Sequence, residues 1–263
     1  MSADPPPTPS PATTEEAPAD GAPSQGAPFE EAPSARTRVR RGRTRARYGS
    51  DTVRAILDAG VVAHVGVTTP EGPIVLPMAY GVRDLAVGET VGEPGPGAEI
   101  LVHGALANAM LRSADSVDVC LTVTIVDGLV VARTPFHNSM NYRCVVVRGT
   151  ATVIREPESK IAALQTINDH VAPIWDTARV PSDGDVTRTL VLSIPLDEAS
   201  AKVRSGDPVD EDRDLDGPHW AGTVPLHTTW GDPVTAADLR VDAPVPDAVA
   251  ALAGTDAHDA ASD

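Results

Sequence analysis

Apolar and polar residues alternate along much of this chain, and a period of two predicts β-strands with one buried face. The clearest case is 117–126, in which one face carries Val117, Val119, Leu121, Val123 and Ile125. Similar patterns predict further strands at 61–67, 74–80, 99–103, 129–133, 142–154 and 187–196. The dipeptide Asp127-Gly128 is a hairpin signal, so we expect a tight turn between 117–126 and 129–133.

Apolar residues at helical spacing are confined to three short segments. The segment 51–59 is predicted as a helix that Ser50 or Asp51 caps and Gly60 ends. The other predicted helices are 105–113 and 157–171. Because connections are short and no regular βαβ alternation is present, we expect a mainly β fold of the α+β type. Its antiparallel sheet would close into a barrel with a few peripheral helices.

Composition divides the chain into four regions. Residues 1–35 hold nine prolines, eight alanines and no periodic apolar face, so we expect a disordered acidic tail. An arginine-rich arm follows at 36–49, with seven arginines and no acid between 36 and 47. The folded domain is predicted to span 50–240, and 241–263 is expected to be a flexible C-terminal tail.

Charge and cysteine content exclude several classes of function. The net charge of −16 disfavours general binding to nucleic acid or anionic membranes. The arginine tract lacks aromatic residues for stacking on bases, so an arm lying on an acidic domain is the preferred interpretation. With only Cys120 and Cys144, neither a disulfide framework nor a metal site is expected. No apolar stretch could span a membrane, which predicts a soluble cytoplasmic protein.

Three places concentrate side chains that could hold a ligand. His103 and Gly104 stand where a strand gives way to a predicted helix, whose free N–H groups favour a phosphate, unless the histidine is structural. The segment 136–144 gathers hydrogen-bonding side chains before a strand. Arg143 could there pair with a phosphate, although a polar surface turn is the alternative. Trp220 either covers a flat ligand or plugs one end of the barrel.

The ordered segments resemble a known family. They read ILDAGVVAHVGV, VLPMAY, LVHGALANAMLR, VCLTVTIVDGLVVARTPFHNSMNYRCVVVRGTA, EASAKVRSGDP and WAGTVPL. Together they resemble the flavin-nucleotide-binding (Nim-type) branch of the pyridoxamine 5′-phosphate oxidase-like superfamily, over about residues 40–240. The resemblance implies an FMN-binding split β-barrel and a homodimer with one FMN per site in a groove between the subunits.

The resemblance also implies that three blocks of the chain surround the FMN. The first block is a strand whose backbone would lie along the isoalloxazine, and it comprises Leu76, Pro77, Met78, Ala79 and Tyr80. The second lies at the phosphate or ring end and comprises His103, Gly104, Ala105, Asn108 and Arg112. The third closes the pocket and the dimer seam, with Ser139, Asn141, Tyr142, Arg143 and Trp220.

The function implied is an FMN-dependent oxidoreductase acting on a small molecule, for example in reductive detoxification of nitroaromatic-like compounds. His103 is the candidate catalytic residue. The alternative is a flavin- or haem-binding module without turnover, in which His103 could be an axial ligand. Oxidation of pyridoxamine 5′-phosphate itself is not expected. A second phosphate would find few partners after 187–196, namely Lys202, Arg204, Arg213 and Arg240.

Overall fold

The computed structural model describes residues 31–83, 98–104 and 116–259. Within them the strands are β1 (Ala46–Arg47), β2 (Ala63–Thr69), β3 (Gly72–Met78), β4 (Tyr80–Arg83), β5 (Glu99–His103), β6 (Ser116–Val131), β7 (Ser139–Val153), β8 (Val191–Pro195), β9 (Ala199–Arg204) and β10 (Gly222–Pro225). The α-helices are α1 (Ser50–Ala59), α2 (Pro157–Asn168), α3 (Asp183–Arg188), α4 (Asp212–Leu215) and α5 (Asp247–Ala250). The predicted helix at 105–113 lies outside the described residues. No described helix is both long and apolar enough to cross a membrane.

The strands form one antiparallel sheet in the order β3-β2-β6-β7-β8-β5-β4. Its two end strands, β3 and β4, are joined in sequence through Ala79 alone, so the sheet curls back on itself. Among the described strands no ladder of hydrogen bonds joins β3 to β4, and the barrel therefore stays open along that seam. The mainly β, split-barrel prediction is confirmed, whereas the expectation of a fully closed sheet is not.

The barrel interior is filled by the alternating apolar positions and by one helix. Buried aliphatic side chains meet there, among them Val53, Ile56 and Leu57 from α1 and Leu121, Val123 and Ile125 from β6. Burial of each such side chain stabilises the folded state by about 1.5–3 kcal/mol, because its apolar surface is removed from water. A second buried cluster lies beneath α2 and comprises Leu101, Ala163, Ile167 and Val191. Helix α1 therefore packs against the barrel core, while α2 covers the far side of β5 and β8.

The hairpin predicted at Asp127-Gly128 is wrong. Strand β6 runs straight through both residues, with only a shift of register against β7 between Val126 and Gly128. A Cβ on Gly128 would lie 2.7 Å from the carbonyl oxygen of Val224 in β10. The glycine is therefore needed for close approach of a neighbouring strand, not for a turn. The chain reverses instead at 132–138, through a 3₁₀ turn at Pro135–His137.

The arginine-rich arm and the C-terminal residues both contact the barrel. Strand β1 pairs with β9, and the Ser34 hydroxyl donates a hydrogen bond to the Glu198 carboxylate at 3.2 Å. Near the other end, a ring nitrogen of His258 lies 2.9 Å from the carbonyl oxygen of Ala59. Residues 34–47 therefore follow the edge of the sheet, while His258 reaches the end of α1.

The C-terminal end of α1 is satisfied by side chains from distant parts of the chain. The Tyr80 hydroxyl reaches the carbonyl oxygen of Leu57 and, at 3.0 Å, that of Gly60. The His170 Nε2 lies 2.8 Å from the same Gly60 oxygen, and its ring packs on the Tyr80 ring at 4.2 Å. Burial raises the pKa of Tyr80, which therefore stays a neutral donor. These contacts hold the end of the helix against the barrel, because its last carbonyls would otherwise be unpaired.

Replacing Tyr80 with phenylalanine tests this cap. We expect Tyr80→Phe to lower the free energy of unfolding by about 1–3 kcal/mol, because buried carbonyl oxygens lose their donor while ring packing stays. Urea unfolding followed by circular dichroism measures the change. Tyr142→Phe is the matched control, since no hydrogen bond of that hydroxyl is seen within the described residues. Equal stability of the two variants would contradict the assignment.

Candidate functional site

The first and second predicted blocks meet at the open seam of the barrel. Tyr80 pairs with Val102, which brings the junction of β3 and β4 beside the end of β5. A Cβ on Gly104 would lie 3.6 Å from the Met78 side chain, and Gly104 has a φ of +154°. The structure therefore brings 76–80 together with His103 and Gly104. Ala105, Asn108 and Arg112 lie outside the described residues.

The surroundings of Tyr80 and His103 decide what each residue can offer to a ligand at the seam. Tyr80 caps α1 and is 1% exposed, so it supports the seam from within and is not itself open to a ligand. Partial burial lowers the pKa of His103, so its imidazole is neutral at pH 7. A neutral imidazole has one donor and one acceptor nitrogen, and it can bond either kind of polar group.

Two residues of the third block, Asn141 and Tyr142, lie beside a buried arginine that sequence reasoning did not place in the site. Arg204 lies opposite Tyr142 in the sheet and is 8% exposed. Its guanidinium donates to the Asn141 side-chain oxygen and, at 3.1 Å each, to the carbonyl oxygens of Gly206 and Asp207. All these acceptors are neutral. Burial, aided by the charge of Arg45, lowers the pKa of Arg204, yet the group remains cationic.

Arg143 is engaged differently from the sequence expectation. Its guanidinium donates to both carboxylate oxygens of Asp127, at distances of 2.9–3.2 Å. A phosphate would have to compete with this carboxylate for Arg143. Arg204, whose acceptors are neutral, has the charge free for an anion and is the better candidate for that role.

Trp220 lies on an exposed apolar surface. Val224, Leu129 and Met140 lie side by side across β10, β6 and β7, at 51%, 44% and 40% exposure. A Cβ on Gly222 would point to the same face and meet the Trp220 ring at 2.8 Å. Trp220 itself is 64% exposed, which excludes the barrel plug that sequence reasoning left open. We call Leu129, Met140, Trp220 and Val224 the apolar face.

Where the structure describes them, the three blocks do not meet in one compact pocket. Met78 pairs with Ala63, which pairs with Val123, which pairs with Val145. Three strand spacings of about 4.8 Å separate Met78 from Val145, roughly 14 Å in total, and Arg143 lies two residues further along β7. The seam and the surroundings of Arg204 are thus two separate parts of the sheet.

A histidine–carboxylate pair beside the third block was not predicted. The Arg133 backbone and guanidinium donate to the Asp210 carboxylate at 3.0 and 2.9 Å, and His137 Nδ1 lies 3.7 Å from it. Burial opposes ionisation of Asp210, but the hydrogen bonds from Arg133 outweigh it and lower the pKa. Sequence reasoning missed the pair because Asp210 stands in an acidic stretch, far along the chain, that looked irregular.

The chain is similar to known proteins. A family model described as pyridoxamine 5′-phosphate oxidase matches residues 49–203. The flavocytochrome Anf3 from Azotobacter vinelandii is 32% identical, with a TM-score of 0.75 over 86% of this chain and 100% of its own. The FAD and heme binding protein from Mycobacterium smegmatis is 28% identical, with a TM-score of 0.68 over 81% of this chain and 99% of its own. A comparison with curated proteins finds no match.

Removing the Asp210 charge tests the ion pair. We expect Asp210→Asn to lower stability at pH 7, because Arg133 then loses its carboxylate. The folded-state pKa lies below the ordinary value of 3.8, so the contribution of Asp210 is present above pH 3.8 and lost as pH falls below it. The difference from wild type should therefore shrink in acid, as measured by urea midpoints from pH 7 to 3. Asp176→Asn, at an exposed site, is the control. A constant difference across this range would count against the assignment.

Proposed function

The chain belongs to the pyridoxamine 5′-phosphate oxidase family, matched over residues 49–203, and we propose that it is a flavin-dependent oxidoreductase of small molecules that also binds haem. Its fold is the flavin-binding fold of that superfamily. The observation that carries the flavin proposal is the buried Arg204 guanidinium, which is held by neutral acceptors beside Asn141 and Tyr142. A cation without a carboxylate partner among the described residues is suited to a phosphate.

Arg204 attracts the flavin phosphate, and its contacts with Gly206 and Asp207 keep the guanidinium in place. FMN and FAD both carry phosphate, so this feature suits either. The resemblance of the sequence favours FMN, whereas the related mycobacterial protein binds FAD. Extraction of the flavin and chromatography against both standards distinguishes them.

The seam supplies the other part of the proposed site. Backbone groups at 76–79 and the neutral His103 can hydrogen-bond the polar edge of a ring, and His103 can hold or give a proton there. The bound flavin supplies the electron transfer. The substrate is proposed to be a small electron acceptor, of which nitroaromatic compounds are one class, and not pyridoxamine 5′-phosphate. Of the cations after β8, Arg204 is assigned to the flavin and Arg213 is paired with Glu211 at 2.7 Å.

Haem is proposed as a second group because of the two related structures. Both are described as carrying flavin and haem, and this chain spans nearly the whole length of each at 28–32% identity. The sequence contains seven histidines, the residue type that most often ligates haem iron. It contains no Cys-x-x-Cys-His motif, so the haem would be held without thioether bonds.

A homodimer is proposed because the apolar face has no cover within the described chain. Exposed apolar patches of this kind commonly mark protein interfaces. The seam and Arg204 lie on different strands of the sheet, so a second copy could complete each site by bringing one part against the other. The resemblance of the sequence implies the same arrangement, with the flavin between subunits and Trp220 near it at the boundary between the two subunits.

The flavin proposal predicts a specific loss on neutralising Arg204. The purified protein should show flavin absorption bands, and NADH or NADPH should bleach them. Arg204→Gln should weaken flavin binding by about 10–100-fold, the effect of losing a charged hydrogen bond, and Arg204→Lys should restore part of it. Flavin fluorescence titration measures the affinity, with Arg213→Gln as the exposed control. Unchanged affinity in a folded Arg204→Gln variant would refute the assignment.

The dimer proposal predicts the effect of a charge on the apolar face. Val224→Asp should weaken dimerisation by about a hundredfold, because burying an unpaired carboxylate costs on the order of 3 kcal/mol. Sedimentation equilibrium measures the constant. Val234→Asp is the control, since Val234 is 92% exposed and lies outside the apolar face. A wild-type protein that sediments as a monomer with bound flavin would contradict the proposal.

A further inference from the structure

His137 has an unusual environment among the described histidines. Its Nδ1 is buried and has no hydrogen-bond partner among the described residues. The nearest carboxylate oxygen belongs to Asp210 at 3.7 Å, and that side chain is fully buried. Buried polar atoms are nearly always paired, so an unpaired one next to a carboxylate calls for an explanation.

The surroundings of Asp210 keep the carboxylate charged and in place. Arg133 binds it through both the backbone N–H and the guanidinium. A small movement of the imidazole would bring Nδ1–H within hydrogen-bond range of this oxygen. Such a bond fixes the tautomer and leaves the lone pair on Nε2. Histidines that bind metals are commonly oriented in this way, with the other ring nitrogen donating to a carboxylate.

Three other histidines are less suited than His137 to bind a ligand. His170 and His258 each place a ring nitrogen against a carbonyl at the end of α1. His227 also faces a carboxylate, that of Asp256 at 3.8 Å, but its side chain is 75% exposed. The His137 side chain is only 13% exposed, so surrounding residues restrict its ring to small movements.

An apolar side chain lies beside His137. The ring of Phe136 is centred 5.7 Å from the imidazole, and Phe136 is 75% exposed. A porphyrin is a large flat apolar ring, and an exposed aromatic beside the iron ligand gives it a surface to pack on. A buried imidazole, a charged carboxylate behind it and an exposed aromatic beside it are together suited to haem.

We propose that His137 is an axial ligand of the haem iron through Nε2, with Asp210 as its positioning residue and Phe136 in contact with the macrocycle. The inference rests on the haem part of the proposed function and adds the ligand. It differs from the alternative raised by the sequence, in which His103 could be an axial ligand.

The experiment loads the full-length protein with haemin and compares variants by their visible spectra. Haem content comes from the pyridine haemochrome assay, and flavin content is measured in the same samples. We expect His137→Ala to weaken haem binding at least about a hundredfold or to change its Soret and visible bands, with flavin retained. Added imidazole should restore the wild-type spectrum by filling the vacated position. His227→Ala, which removes the exposed histidine of the other histidine–carboxylate pair, should behave as wild type.

Asp210→Asn tests the positioning role separately. Haem should remain bound, but the iron–histidine stretching frequency in the resonance Raman spectrum of the ferrous protein should fall, because the imidazole loses its charged acceptor. His137→Gln, which keeps much of the side-chain volume, replaces His137→Ala if that variant unfolds. A wild-type haem spectrum in a folded His137 variant overturns the assignment of His137 alone. A wild-type protein that binds flavin but no haem overturns the haem proposal together with this assignment.

Discussion

The structure depends above all on the pairing of β6 with β7. These two strands stay hydrogen-bonded from Ser116 opposite Thr152 to Val130 opposite Ser139. β2 and β10 pair with β6, while β8 and β9 pair with β7. The inner face of this ladder also receives α1. Because every other part of the barrel joins through one of the two strands, their register decides which side chains face the core and which face outward.

The fold could be predicted where a local, periodic pattern of apolar and polar residues marks an element. Strand 99–103 and the helix ending at residue 59 were predicted within a residue of their observed bounds, because a buried face leaves a clear period in the sequence. The Asp127-Gly128 turn was wrong because the glycine serves a contact with β10, which lies almost a hundred residues further on. β9 and β10 were missed since they are short, and small residues such as Ala199 and Gly222 give little apolar signal.

The candidate site was predictable only in part for the same reason. The segment 136–144 stood out through its density of polar residues, which is a local property. Arg204 and Asp210 had no local signal, because each acquires its role through contacts with residues more than sixty positions earlier in the chain. Arg143 shows the converse, since its residue type suited a phosphate while its partner Asp127 could be found only from the fold. Sequence can therefore nominate polar clusters, whereas charge pairing must come from the structure.

The contact between His258 and Ala59 has a consequence for how the chain acquires its structure. The two residues are 199 positions apart. During synthesis on the ribosome, α1 emerges early, but its complete set of carbonyl partners exists only after residue 258 has been made. Tyr80 and His170 arrive in between, so the helix gains its partners in the order in which the chain is translated. The N-terminal helix is consequently among the first elements to be made and among the last to be finished.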